Sequence, residues 1–576
     1  MIKVRDPIKM EIIKNNLESI ADGMALTVVR TSRSSVVRTS LDFSTGVLNC
    51  DGELVGQGAC TPIHLGGMMP ALKACLERYE GRLYPDDILA SNDPYEGASH
   101  LPDIFLFKPV FEGGRITAYL CSMAHQTDIG GRVAGGNACD SSEIFQEGLR
   151  IPPLKLYEKG QPNETLFRII EKAVRVPDIV LGDIRGQVAS LHFGEQEYRK
   201  LIERYGAEEL ETTINELLDY TEMAIRKAIS EWPEGTWSFT DYIDDDGFTD
   251  DQISIVATIT KKGDHLWVDF TGTSPQCKGS IQPVFNTTKA MVYAVMRTVI
   301  GGDIPNTAGY FRPVTITSPE GTFTNPLPPA PVAARALGCR RITHVLYGAF
   351  AQMLPDKVFA CPGGAEVGVG AGGYDKSKTP WKPWVQLEFH NETARGGSPT
   401  LDGLDAQGTN VSNLANIPSE TMEIEQPIRI EEYGMVPNTE GAGLHRGGLA
   451  MVRKYTYLLD DTVIQMRSDR QKSSPYGLNG GYSSQSTKIS VSKEGQVKKM
   501  PTKFLETVNA GDWLKIEWPG AGGWGDPKKR DPELVLWDVI EEKISIERAK
   551  GVYAVAIMPD NRSIDWRGTE ALRSNS

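Results

Sequence analysis

The sequence predicts an α+β protein built from several units, with an N-terminal mixed helix and strand part that carries a metal site and a strand-rich C-terminal half. Three observations carry this. Over residues 1–232, helical spacings of apolar residues alternate with short β-like runs; at residue 233 the composition changes to alternating strands; after residue 428 the chain becomes Gly-rich and strand-like. At 576 residues and roughly 100 to 200 residues per domain, three or four units are expected, and the composition divides the chain at 1–232, 233–427 and 428–576.

Taken in order, apolar residues at Ile12, Ile13, Leu17, Ile20, Met24 and Val28 give an amphipathic helix from Pro7 to about Arg30, with Pro7 near its start. The segment LDFSTGVLNCDGELVGQG alternates as a hairpin turning at Asp51 and Gly52. Leu65–Tyr79 reads as a second helix, and short β-like runs follow at Asp87–Ser91 and Ile116–Ala124. Leu166–Glu171 and Gly194–Trp232 read as helical, the latter broken near Gly206 and ended by Pro233. The next strands carry an acidic patch around Asp244, Asp245 and Asp246. It fails the calcium-loop pattern, because with Gly247 at loop position six the first and twelfth positions are Tyr242 and Ile253; a solvated hairpin turn is expected instead. Residues 285–301 and 340–354 read as helices separated by the Pro-rich crossing TNPLPPAPVAA, a rigid extended stretch. Strand-like chain runs on to Trp518, PGAGGWGDP makes a tight loop, and a last helix begins near Pro532.

The composition excludes several classes of function. An apolar fraction of 40% and a charged fraction of 24% are ordinary for a globular protein, and a net charge of -14 argues against nucleic acid or an anionic membrane as partner. The eight cysteines form no C-x-x-C and fit reduced thiols. No apolar run approaches 18 residues, so neither a signal peptide nor a membrane span is expected, and a cytoplasmic location follows. In such a chain the sequon Asn391-Glu392-Thr393 carries no meaning. There is no P-loop and no G-x-S-x-G elbow. Gly368–Gly373 satisfies G-x-G-x-x-G but is followed by residues that cannot open a helix, so it reads as a flexible turn.

The chemistry concentrates between Leu89 and Leu156. Two histidines there share one pattern, His100 with Asp103 and His125 with Asp128, each after a β-like run and each at a turn. Imidazole and carboxylate together suit zinc, manganese or iron, and a catalytic site of the zinc type leaves one position open. A single H-x-x-D is common; two of them in Gly/Pro/Asn-rich turns weigh a site evenly against hydrogen-bonded histidines beside solvated aspartates. Asp42, at the edge of the first hairpin, is a further candidate carboxylate and equally a turn residue. Trp381, Trp384 and the stretch TPWKPWVQLEFH read as the wall of an apolar pocket or as core.

At these residues the chain resembles the hydantoinase B/oxoprolinase family. The blocks NDPYEGASHLPDIFLFKPVF, AHQTDIGGRVAGG, IFQEGLRIPPLKL, GDIRGQVAS, VDFTGTSPQ, GAGLHRGGLA and PGAGGWGDP stand in the family's order over nearly the whole length. The resemblance implies the metal-containing subunit of an ATP-dependent hydrolase of cyclic amides such as lactams, hydantoins or 5-oxoproline. It implies one divalent metal, zinc first and manganese second, on Asp42, His100, Asp103 and His125. Asp128 enters as a ligand, as the partner of an imidazole or, with Glu147, as a general base. Many relatives carry a second histidine where this chain has Gln126, so any proton-carrying role there must lie elsewhere. The chain opens directly on the B-type block and lacks a P-loop. The same resemblance implies ATP and magnesium on a hydantoinase A-type ATPase subunit in a two-plus-two heterotetramer, which either phosphorylates the lactam oxygen or makes carboxyphosphate from bicarbonate.

Two competing readings follow from the same residues. In one the chain is a subunit of an ATP-dependent ketone carboxylase of the acetone or acetophenone type. In the other it is a non-catalytic structural partner of an ATPase subunit.

Overall fold

A computed structural model describes residues 4–58, 61–364, 367–390, 394–408, 411–560 and 562–574; Cys60 and the Asn391 sequon lie outside them. The first helix, α1 (Pro7–Thr31), is capped by the Asp6 carboxylate on the Lys9 amide, and Ile13, Leu17, Ile20, Met24 and Val28 form its buried stripe. A one-turn helix, α2 (Ser35–Arg38), leads into β1 (Phe43–Asn49) and β2 (Leu54–Gln57), which pair as the expected hairpin. Then come α3 (Pro62–Arg78), β3 (Ile88–Ser91), β4 (Asp103–Glu112), β5 (Arg115–His125), β6 (Leu154–Glu158) and β7 (Gln161–Pro162). These strands form one seven-stranded sheet in the order β2-β1-β5-β4-β3-β6-β7.

The helices α4 (Glu164–Ala173), α5 (Pro177–Tyr205) and α6 (Ala207–Ser230) break at Gly206 as expected, but α5 starts well before Gly194. Gly182, Gly186 and Gly194 hide its first half, each costing about 1 kcal/mol of helix propensity. Tertiary packing overrides that propensity: a Cβ at Gly194 would lie 2.5 Å from Met24 Sδ, and one at Gly186 would lie 3.0 Å from Ser32 Oγ. The missing side chains let α1 press against α5.

The second unit holds β8 (Gly235–Ile243), β9 (Ile253–Lys262), β10 (His265–Asp269), α7 (Phe285–Ile300), β11 (Val314–Thr317) and α8 (Ala336–Met353). Its sheet runs β11-β10-β9-β8, with β9 alternating buried and half-buried residues as its sequence pattern requires. The acidic patch is not a solvated turn. Asp244 and Asp246 are buried: Asp244 accepts from the amides of Gln471 and Lys472, and Asp246 from those of Phe248, Thr249 and Lys278. They serve as anchors for distant loops, a role that neighbours in sequence cannot reveal.

The rest of the chain gives β12 (Val367–Asp375), β13 (Lys382–His390), α9 (Ser419–Glu425), β14 (Ile428–Val436), β15 (Ala450–Tyr457), β16 (Thr462–Arg467), β17 (Lys488–Lys493), β18 (Gln496–Lys499), β19 (Lys503–Val508) and β20 (Trp513–Glu517). Two sheets result, β13-β12-β16-β19 and β14-β15-β20-β17-β18. The glycines expected to form a flexible turn at 368–373 are strand β12. A Cβ at Gly368 would lie 2.5 Å from Arg467 Nε, and one at Gly372 would lie 2.5 Å from Ala134 Cβ, so neighbouring side chains occupy the space. The helix expected at Pro532 is α10 (Pro532–Ile540), and two more follow it, α11 (Ile546–Gly551) and α12 (Trp566–Ser574). Among the described residues no helix is long and apolar enough to cross a membrane.

Candidate metal centre

The site forms where the first sheet ends. Strands β1, β5 and β4 are neighbours, and their ends put one residue each in a row. Asp103 opens β4 and pairs directly with His125, which closes β5. Asp42 stands one residue before β1, and its carbonyl accepts the His125 amide at 3.0 Å. Facing residues on adjacent antiparallel strands hold their Cβ atoms about 5 Å apart, so the sheet itself delivers the second histidine to the first carboxylate. The turn before β4 adds His100, whose Nε2 lies 3.2 Å from Asp103 Oδ1. One ligating atom each from His100, Asp103 and His125 falls within 4.8 Å of the others, and all three side chains are buried.

The hydrogen bonding leaves the inward atoms open. His100 Nδ1 donates to the Ala333 carbonyl at 2.8 Å, which directs the Nε2 lone pair toward Asp103. Asp103 Oδ2 accepts from Ser99 Oγ and from Arg335 Nη2. Yet among the described residues His100 Nε2, Asp103 Oδ1 and both ring nitrogens of His125 have no hydrogen-bond partner. Burying such atoms unpaired costs about 1–3 kcal/mol each, and a shared cation would take three of the four, since an imidazole offers one nitrogen to an ion. The donors fit a divalent ion of the zinc or manganese class.

Protonation agrees with that use. Burial lowers the His100 pKa, and Arg335 beside it lowers it further, outweighing the pull of Asp103. His125 is pushed well below its ordinary value by burial, then by His100. Burial opposes ionisation of Asp103, but His100 beside it and the Arg335 guanidinium, which stays charged when the ring is neutral, hold the carboxyl well below the usual range. The set is therefore two neutral imidazoles and one carboxylate, the forms in which these groups bind metals. His125 also packs edge-on against Phe389, with ring centroids 5.1 Å apart.

Asp42 belongs to the cavity wall but not to the cluster of three; its Oδ1 is 3.3 Å from His64 Nε2. His64 stands in no motif of the sequence. Ser44 Oγ accepts the Thr61 amide and so offers its own proton to His64 Nδ1 at 3.0 Å. Burial drives the His64 pKa down to about 3, leaving a neutral ring. His64, Arg335, Arg340, Phe389 and Arg467 join the expected residues around a cavity with room for about 40 Å³ of water-sized occupants. That holds an ion and a water or two, and is too small for a lactam ring. None of the five carries a local signal, because each comes from a different loop, helix or strand.

Neither proposed base lines this cavity. Asp128 is buried, accepts from the Gly135 amide at 2.9 Å and the Arg175 amide at 2.6 Å, and pairs with Arg175 Nη1 at 3.0 Å. The two H-x-x-D motifs thus both send their histidine to the site, but only the first sends its carboxylate; that of the second closes a loop. Glu147 Oε1 accepts from the amides of Val332 and Ala333, both at 2.8 Å.

A family model described as Hydantoinase B/oxoprolinase matches residues 6–527. The uncharacterized protein MJ0963 of Methanocaldococcus jannaschii is 36% identical over 99% of this chain and 100% of its own length. The caprolactamase subunit beta of Pseudomonas jessenii is 29% identical over 99% of each chain. Among solved structures, the crystal structure of ATP-dependent caprolactamase from Pseudomonas jessenii matches with a TM-score of 0.90 at 27% identity, covering 99% of this chain and 100% of that one. A nucleotide-free acetone carboxylase structure matches with a TM-score of 0.92 at 18% identity, covering 99% and 83%, a likeness of fold.

Proposed function

Because the chain belongs to the hydantoinase B/oxoprolinase family, we propose that it is the metal-containing subunit of an ATP-dependent cyclic amide hydrolase. Its substrate would be an activated lactam-, hydantoin- or oxoproline-type ring, opened to the amino acid. The observation that carries this reading is the convergence of His100, Asp103 and His125 with their facing atoms unpartnered. Asp42, on the adjoining strand end, completes the donor set by turning from His64. Zinc is the first choice and manganese the second, since two imidazoles and carboxylates accept either. When bound, the ion supplies carbonyl polarisation or water of lowered pKa.

The chain's own residues do the holding. The Ala333 carbonyl fixes the His100 tautomer, while Arg335 and Ser99 keep Asp103 ionised and aimed. Phe389 limits water at His125. Admitting a ring requires the cavity wall to open. The names of the relatives as subunits support a partner, for which we propose a hydantoinase A-type ATPase carrying ATP and magnesium in a two-plus-two assembly. That partner would phosphorylate the amide oxygen or make carboxyphosphate from bicarbonate.

Elemental analysis of the purified chain beside His125→Ala, both checked for folding, tests the centre. About one zinc or manganese per chain, lost in the variant, is expected; a wild type empty of metal when purified with its partner and without chelator sinks the reading. Turnover then requires a cyclic amide, ATP, magnesium and the partner. The likeness to the Pseudomonas jessenii caprolactamase, in sequence at 29% identity and in structure at 27%, favours amide hydrolysis over ketone carboxylation. Labelled bicarbonate separates these two, because only a carboxylase retains the label in its product. A purely structural subunit predicts instead that His125→Ala leaves the assembled complex fully active.

A further inference from the structure

The Pro-rich crossing runs beside His100, and it is held by single backbone bonds, Ile144 to the Pro329 carbonyl and Ala334 to the Ser280 carbonyl, and by side chains rather than by a strand ladder. Tyr95 O–H donates to the Ala330 carbonyl at 2.6 Å, and Gln282 Nε2 donates to the Pro331 carbonyl at 3.2 Å. The next two amides, of Val332 and Ala333, are both taken by Glu147 Oε1. The carbonyl of that same Ala333 receives His100 Nδ1, and two residues on Arg335 reaches Asp103. Val332, Ala333 and Arg335 are all buried.

Resting on the metal reading above, we infer that Glu147 is a positioning residue for the centre, acting through the Val332–Arg335 backbone on His100. Its own backbone makes it a fixed post: the Glu147 amide donates to Ile144 at 3.1 Å, and Gly131 and Gly136 lie so close that a Cβ at either would meet the Glu147 carbonyl. Loss of the carboxyl group strands two buried amides and loosens the one carbonyl that sets the His100 tautomer. A residue that merely satisfies buried amides would affect stability and leave the imidazole unchanged.

Two readouts separate these roles. In metal-free protein with ¹⁵N-labelled histidine, wild type and Glu147→Gln should show His100 with hydrogen on Nδ1, since the glutamine oxygen accepts the same two amides. Glu147→Ala, and Glu147→Asp with its shorter reach, should show a mixture of tautomers. In zinc competition against a chromophoric chelator, Glu147→Gln should stay within about threefold of wild type, while the other two bind about 10–100-fold more weakly. Should Glu147→Ala fail to fold, the contrast of Asp with Gln decides. An unchanged tautomer and affinity in Glu147→Asp and Glu147→Ala, or a glutamine variant as impaired as they are, overturns the inference. A wild type that binds no zinc but shows the tautomer contrast overturns the metal reading alone, and leaves Glu147 as the residue that positions His100.

Discussion

Glu147 keeps its proton up to about pH 8, because complete burial outweighs the two amides that favour its ionised form. The unfolded chain releases that proton near 4.5. Between these values the folded state binds more protons than the unfolded one, so stability falls as pH rises from about 4.5 to 8 and is level outside that window. At pH 7 the cost is on the order of 2–4 kcal/mol. Glu147→Gln keeps the clamp without the titration, and thermal melts from pH 5 to 8 should show a flatter decline than wild type. Arg335 sets a second expectation at this scale. Arg335→Met leaves the buried Asp103 carboxylate without its cation, and breaking such a pair costs about 3–5 kcal/mol. Denaturant titration of metal-free protein measures that loss. Saturating zinc should recover part of it, as ligands of the folded state do.

The elements are legible wherever their signal is local. The spacing of α1, the hairpin at Asp51 and Gly52, and the break at Gly206 all stand where periodicity and turn chemistry put them. Glycine conceals α5 and β12, because sequence registers its low propensity and not the side chain that needs its space. Gly66 in α3 makes the same point as a test. A Cβ there would overlap the Asn286 carbonyl oxygen of α7 and come within 2.7 Å of Ala290 Cβ. Alanine gains up to about 1 kcal/mol of helix propensity, yet overpacking costs about 1–3 kcal/mol. Gly66→Ala should therefore lower the melting temperature. It should also weaken zinc binding if the displaced helix moves His64 against Asp42, which the same chelator competition would register.

Across the whole molecule, buried charges tie the units together. Arg341 of α8 pairs with Asp241 of β8 and with Asp469 beyond β16, and Arg470 pairs again with Asp241. Asp469→Ala leaves the buried Arg341 and Arg470 sharing the single Asp241 carboxylate, and should lower stability in chemical denaturation by up to about 3–5 kcal/mol. Strand pairing also crosses the compositional boundary: β12 and β13, within 233–427, share a sheet with β16 and β19. By itself the sequence determined the α+β class, the family and the residues worth suspecting, because hydrophobic period, turn chemistry and ordered motif blocks are properties of neighbours along the chain. Only the tertiary structure decided how those residues are used. Asp103 meets His125 through strand register, His64 and Arg335 arrive from elements remote in sequence, and the matching carboxylate of Asp128 turns away to Arg175. A sheet places its ends by hydrogen bonding across strands, and no spacing along one strand encodes its partner.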